Sequence, residues 1–201
     1  MQVIKKIKPR QRLLNAAGRL FWAGGFYSTS VEKICEDAGV NKANFYRYFP
    51  SKDDLATEII KGLGGFAEED VFKRAVEDAD SPMDAINLVF LNTYQLHYTE
   101  KLSCGHSPGC PVMNLGAEIA PFNDEVAAEV NRYIKKIEVF FEKLIQDAVE
   151  QKEIAPIGNV SLMAKDVYAV LVGAVQVAKV KNDPKVIKDS IRIAKSLLGA
   201  R

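Results

Sequence analysis

Residues 12–55 read RLLNAAGRLFWAGGFYSTSVEKICEDAGVNKANFYRYFPSKDDL, and the way this run is punctuated decides the fold. Leu13, Leu14, Ala17, Leu20 and Phe21 recur at three- and four-residue spacings, the mark of one apolar helix face, so a first helix is expected over 9–24. Gly24-Gly25 ends it. Thr29-Ser30-Val31-Glu32 matches a capping box and starts a short helix that buries Val31, Ile34, Cys35 and Ala38. Gly39 stands where a left-handed residue closes that helix. Asn41 caps a third short helix through Tyr48, Pro50 and Ser51 break it, and Ser51 caps a fourth running from Lys52 into the seventies. Short helix, glycine turn, short helix is the helix-turn-helix plan.

In this plan Ile34, Cys35, Val40 and Phe45 lock the two short helices, which leaves Lys42, Ala43, Asn44, Tyr46 and Arg47 facing outward. A helix that reads DNA needs a small residue for close approach, long donors for base edges and further donors for phosphate oxygens. Ala43 meets the first need, and Lys42, Asn44 and Arg47 the second. Tyr46, Tyr48, Lys52, Thr29 and Ser30 meet the third, together with the free amides at the helix start beside Thr29-Ser30. The plainer reading, an aromatic plug, suits Phe45 and Phe49 but not two tyrosines without partners. Charge agrees with a nucleic-acid head. Residues 1–52 hold ten Lys and Arg, including Lys5 and Lys6, against Glu32, Glu36 and Asp37, a net of +7, so the rest of a +1 chain carries −6.

The hallmarks in order are AA..LF..-G-[FY], TS-V-x-x-I, AGV-x-K and Y-x-YF-x-SK-x-x-L. With them, Arg12 to Leu55 closely resembles the DNA-binding domain of the TetR family of transcription regulators. The resemblance implies an all-helical homodimer on a palindromic operator, with each head in one major groove. It also implies phosphate contacts from Tyr46 and Lys52, base contacts from the Lys42–Arg47 segment, and no cofactor, metal or catalytic group. Cys35 stands where the family usually has a small Ala and is read as packed core.

The remaining chain is expected to be helical near 82–101, 111–119, 123–153, 160–180 and 184–198, with Ser81-Pro82, Pro121, Pro156 with Gly158, and Asp183-Pro184 as separators. The expected fold is therefore all-α. An N-terminal three-helix DNA-binding domain with a helix-turn-helix occupies residues 1–52, and a larger helical ligand-binding and dimerisation domain occupies 53–201. The 48% hydrophobic and 26% charged composition suits such a body, and no run of about eighteen apolar residues lacks charges, so no membrane span is expected. The basic start MQVIKKIKPR is followed by no apolar run and cleavage site, so no secretory signal is expected. Three cysteines, an odd set, point to a reducing cytoplasm.

Helix 162–180 is apolar nearly all round between Val167 and Ala178 and must be covered on two sides. Either a monomer encloses it, or a partner subunit meets Ala169, Gly173 and Ala174. The resemblance places the last two helices in a dimer interface. Residues 109–118, GCPVMNLGAE, look like the G-C-x-x-x-N-L-x-x-E stretch of a subset of these regulators, in which a cysteine-bearing loop leads into a helix beside the ligand pocket. Carried over, this puts Cys110, Met113, Asn114 and Glu118 at a small-molecule inducer, with Cys110, Asn114 and Glu118 on one helix face. Tyr94, His97, Tyr98, Phe122, Tyr168 and Gln176 are further pocket candidates, each joining apolar bulk to a polar handle, although His97 reads equally as a satisfied core residue.

Cys110 stands before a helix start and near His106, both of which lower a thiol pKa, so it reads either as pocket lining or as a thiol sensor of electrophiles. Cys104, His106 and Cys110 give three metal donors without a fourth at any standard spacing, and no metal is expected. A thiol enzyme using Cys110 and His106 lacks a nearby acidic partner in sequence. Repressor and activator both fit the sequence.

Overall fold

The computed structural model describes residues 7–200, with side chains for all of these except 63–70; Lys5 and Lys6 lie outside the described residues. The elements run α1 (Pro9–Gly24), α2 (Val31–Ala38), α3 (Lys42–Tyr48), α4 (Lys52–Ala67), a π turn (Glu68–Lys73), α5 (Arg74–Asp78) and α6 (Pro82–Cys104). They continue with α7 (Pro111–Ile119), a 3₁₀ turn (Ala120–Phe122), α8 (Asp124–Glu150), α9 (Val160–Lys181), α10 (Lys185–Asp189) and α11 (Ile191–Leu197). No strand occurs among the described residues, so the all-α expectation holds. The chain divides into two compact units. One holds the described residues up to Leu63 together with Pro111–Val130, and the other holds Gly64–Cys110 and the chain from Asn131 onward.

In the first unit α1 packs on α2, α3 and α7. Leu13, Ala17 and Phe21 of α1 are buried, as are Ile34 and Ala38 of α2, Phe45 of α3, and Leu55 and Ile59 of α4. Each short helix is closed by its own side-chain cap. Ser30 accepts from the Lys33 amide at 3.2 Å, Asn41 from the Asn44 amide at 2.8 Å, and Ser51 from the Asp54 amide at 3.1 Å. Gly39 takes φ +60° at the end of α2, where its amide and that of Val40 recover the orphan carbonyls of Glu36 and Cys35. The capping box differs from expectation. Ser30 is the cap, Thr29 turns inward, and Glu32 pairs with Lys42.

The second unit is built on α6, α8 and α9, whose inner faces bring Val89, Phe90, Phe141, Ile145, Ala164, Val167 and Ala178 together with almost no exposure. Phe72 and Phe140 meet edge to face at 5.2 Å, a favoured aromatic geometry. Glu153 accepts from the Ser81 hydroxyl at 2.9 Å and the Met83 amide at 3.0 Å, closing the start of α6 with a charge suited to a helix N-terminus. The single helix expected over 184–198 is two, α10 and α11, meeting at Ser190, whose hydroxyl donates to the Ile187 carbonyl at 2.7 Å. The helix expected from Lys52 into the seventies is likewise interrupted, by the π turn.

Among the described residues α9 alone is long and apolar enough to cross a membrane by length and composition. Its Ala164, Val167, Leu171, Ala174 and Ala178 are core residues of the second unit. Asn159 caps its start, and Asn182, at φ +51°, ends it.

Candidate nucleic-acid interface and regulatory residues

Helix α3 has two unlike sides. Phe45 and the following Phe49 are buried, 6.0 Å apart centre to centre, as the plug reading of these two residues requires. Lys42, Ala43, Tyr46 and Arg47 are exposed, Tyr46 by 53%, and Asn44 is half-buried. The Lys42 ammonium pairs with Glu32, which raises the lysine pKa and lowers that of the carboxylate. Arg47 lies over the Tyr48 ring at 5.0 Å and donates to its hydroxyl at 2.9 Å. Such exposed contacts are weak and exchange readily for contacts to a ligand. Cys35 is buried beneath, and burial pushes its thiol pKa up, the reverse of an activated cysteine.

Two of the expected phosphate donors are otherwise engaged. Thr29 is 2% exposed and its hydroxyl donates to the Gly25 carbonyl at 2.8 Å, so at this helix start Ser30 is the exposed hydroxyl residue instead. Lys52 donates from Nζ to the carbonyls of Phe26 at 2.9 Å and Thr29 at 3.0 Å, and its ammonium sits 4.0 Å from the centre of the Phe26 ring. Burial draws the Lys52 pKa down, against the opposite pull of Asp53 and Glu118.

The regulatory candidates separate. Cys110, Tyr168, Tyr94, His97, Tyr98 and Gln176 belong to the second unit, whereas Met113, Asn114, Glu118 and Phe122 belong to the first. In the second unit Cys110 Sγ lies 4.0 Å from the Tyr133 hydroxyl. Burial raises the pKa of the Tyr168 hydroxyl, with smaller contributions from Cys110 and Glu138, so these groups share one neighbourhood. Tyr94 and Tyr98 stack at 5.8 Å, with the Lys188 ammonium over the Tyr94 ring. His97 is 3% exposed, neither ring nitrogen has a hydrogen-bond partner, and burial lowers its pKa to about 4. Gln176 lies on the exposed side of α9.

In the first unit Phe122 is 81% exposed, because the 3₁₀ turn carries it off the α7 face. Glu118 is engaged within the first unit. Its Oε2 accepts from the amides of Phe26 at 2.9 Å and Tyr27 at 3.3 Å.

Sequence reasoning missed Asn182. Its side chain accepts from the Ser107 amide at 2.9 Å and donates to the Gly105 carbonyl at 3.1 Å, tying the 103–109 loop to the end of α9. A lone Asn before Asp-Pro is a visible helix stop, but nothing local gives the partner. Cys104 and His106 satisfy one another through backbone carbonyls, His106 Nδ1 lying 3.0 Å from the Cys104 carbonyl. No group of three or more His, Cys, Asp or Glu among the described residues is arranged to hold a metal.

Comparison with known proteins supplies the family. Residues 13–59 match the model of bacterial regulatory proteins of the tetR family, and residues 90–194, just over half of the chain, match the tetracyclin repressor-like C-terminal domain. An HTH-type transcriptional regulator of Bacillus subtilis, YxaF, is 28% identical over 75% of this chain and 77% of its own. The HTH-type transcriptional repressor DhaR of a Mycobacterium species is 23% identical over 87% and 84%. The crystal structure of a regulatory protein TetR from Rhodobacter sphaeroides superposes with a TM-score of 0.81 at 21% identity, covering 94% of this chain and 98% of that one, and so shares its fold. The chain belongs to the TetR family, and is thus a helix-turn-helix transcriptional regulator and not an enzyme, of a class that acts as dimers on operator DNA and binds small molecules.

Proposed function

We propose that the protein is a cytoplasmic repressor relieved by a small molecule: a homodimer seats the outer side of α3 from each protomer in the major groove of a palindromic operator, and an inducer entering the helical body releases it. The two-sided character of α3 carries this reading. A buried Phe45–Phe49 plug fixes the helix, while Lys42, Ala43, Asn44 and Arg47 stay available for base edges. Tyr46, Tyr48, Ser30 and the amides beside Thr29 supply the phosphate side, and Lys52 adds positive charge beside them while its ammonium stays bound to the carbonyls of Phe26 and Thr29. On this reading residues 1–52 recognise DNA, and 53–201 bind the inducer and form the dimer.

Dimerisation through α9 and the α10–α11 pair is supported by an open apolar groove lined by Ala169, Gly173, Val177, Val186, Arg192 and Ile193. Two heads joined there can address half-sites one DNA turn apart. The stretch from Gly109 to Glu118 supports placing the chain in the subset carrying G-C-x-x-x-N-L-x-x-E. Tyr94, His97, Cys110 and Tyr168, all of the second unit, form our inducer-contact set. The unpartnered, neutral His97 offers one donor and one acceptor to a ligand. Tyr98, Phe122 and Gln176, all exposed, drop out of that set.

The test is binding to a duplex selected by the wild-type protein from a random-sequence pool. Arg47→Ala is expected to cost about 1–3 kcal/mol and to relax preference at one base pair, whereas loss of a phosphate donor in Tyr46→Phe weakens all sequences alike. If both variants bind as wild type does, α3 is not the reading helix.

A further inference from the structure

The link between α1 and α2, Gly25 to Ser30, is gripped from both sides by residues remote in sequence. On its donor side Glu118 of α7 takes the amides of Phe26 and Tyr27 at 2.9 and 3.3 Å. Consecutive amides turned to one oxygen form a small anion-binding concavity, here filled by the protein's own carboxylate. On its acceptor side Lys52 of α4 takes the carbonyls of Phe26 and Thr29. The Phe26 residue thus donates to a negative charge and accepts from a positive one, an arrangement that polarises its peptide groups and strengthens both bonds. Gly25 fits this grip in two ways. Its φ of +88° suits glycine, and a Cβ there would lie 2.7 Å from Glu118 Oε1.

We infer that Glu118 is a positioning residue for operator recognition: its carboxylate, set against Lys52, holds the Gly25–Thr29 link and thereby fixes the angle at which α2 and α3 leave α1. This rests on the reading of α3 as the DNA-contacting helix. Ser30, the cap of α2, follows directly on the gripped residues, so a change in the link is transmitted to α2 and, through Gly39, to α3. Glu118 is carried by α7, and the chain passes into α7 directly from Cys110. A hydrogen bond of this length is lost once the carboxylate shifts by about 1 Å. Slight movement of α7 therefore releases the link without unfolding either helix.

The experiment uses the full-length protein and the duplex that wild type selects from a random pool, with Arg47→Ala as control. Glu118→Ala is expected to weaken binding to that duplex by about tenfold or more, the effect of losing charge-assisted hydrogen bonds. Glu118→Gln, which keeps an acceptor oxygen, is expected to fall between Ala and wild type. Affinity for an unrelated duplex is expected to stay at the wild-type value, while amide hydrogen exchange quickens at Phe26 and Tyr27. If Glu118→Ala binds the selected duplex normally while Arg47→Ala does not, the inference fails and the DNA-reading helix stands. If Arg47→Ala also binds normally, the helix assignment itself fails. A Glu118→Ala protein that melts early and loses both duplexes equally, with no gain from Gln, would mark the residue as a stabiliser only and overturn the inference.

Discussion

Replacing His97 with leucine is expected to remove a defined part of the acid sensitivity of this protein. The ring is buried, neither nitrogen is hydrogen-bonded, and its pKa is lowered to about 4 from an ordinary value of 6.5. A base with a depressed pKa takes up its proton more readily in the unfolded chain. Its neutral form therefore contributes full stability above about pH 6.5, and that contribution falls as the pH drops, levelling off below the folded pKa. A tenfold difference in proton affinity between the folded and unfolded chain is worth about 1.4 kcal/mol, so about 3 kcal/mol are at stake over the whole window and about 2 kcal/mol between pH 7.5 and 5.

The assay is urea unfolding at fixed protein concentration, because dimer stability depends on concentration, repeated across that pH range for wild type and His97→Leu. Wild type is expected to lose about 2 kcal/mol more than the variant on going to pH 5. At neutral pH the variant is expected to be as stable as wild type or more so, since two unsatisfied buried nitrogens are exchanged for a methyl-bearing side chain of similar size. Parallel stability curves for the two proteins would refute the reasoning.

Three further outcomes are expected. Gly173→Glu places a charge in the α9 groove at a position where an added Cβ meets nothing within 4 Å; the protomer should fold normally yet sediment as a monomer and lose the selected duplex, and a dimeric variant would remove this groove from the interface. Asn182→Ala deletes both ties to the 103–109 loop and a residue suited to φ +51°. Destabilisation by about 1–2 kcal/mol and faster alkylation of Cys110 should result, and an unchanged labelling rate would separate the loop from Cys110. Cys110→Ser should keep duplex binding; if wild type is released by N-ethylmaleimide and the variant equally so, the thiol-sensor reading of Cys110 is wrong.

The parts of the head that were legible in the sequence are those whose physics is local. A cap bonds within three residues, so Asn41 and Ser51 announce their helices, and Gly39 announces its left-handed turn. Periodicity likewise separates buried Phe45 from exposed Tyr46. The misreadings are long-range. Thr29 looks like a surface hydroxyl until Gly25 bends the chain and offers its carbonyl. Glu118 lies on the same helix face as Cys110 by spacing, yet its partners stand about ninety residues earlier, and no periodicity encodes such a pairing. Asn182 and the 103–109 loop are joined across a comparable distance. The break at Ser190 has no Pro or Gly to signal it, since Ser is compatible with helix and diverts its own turn only through a bond to a carbonyl.

Because α7 and the start of α8 fold into the same compact unit as the head, exchange of DNA specificity between regulators of this kind has a natural cutting plan. A chimera spliced at residue 52 would leave behind the carboxylate that seats Phe26 and Tyr27. The transplant that keeps its aim must bring residues 111–130 along with the first sixty or so, a discontinuous graft in place of a simple N-terminal swap.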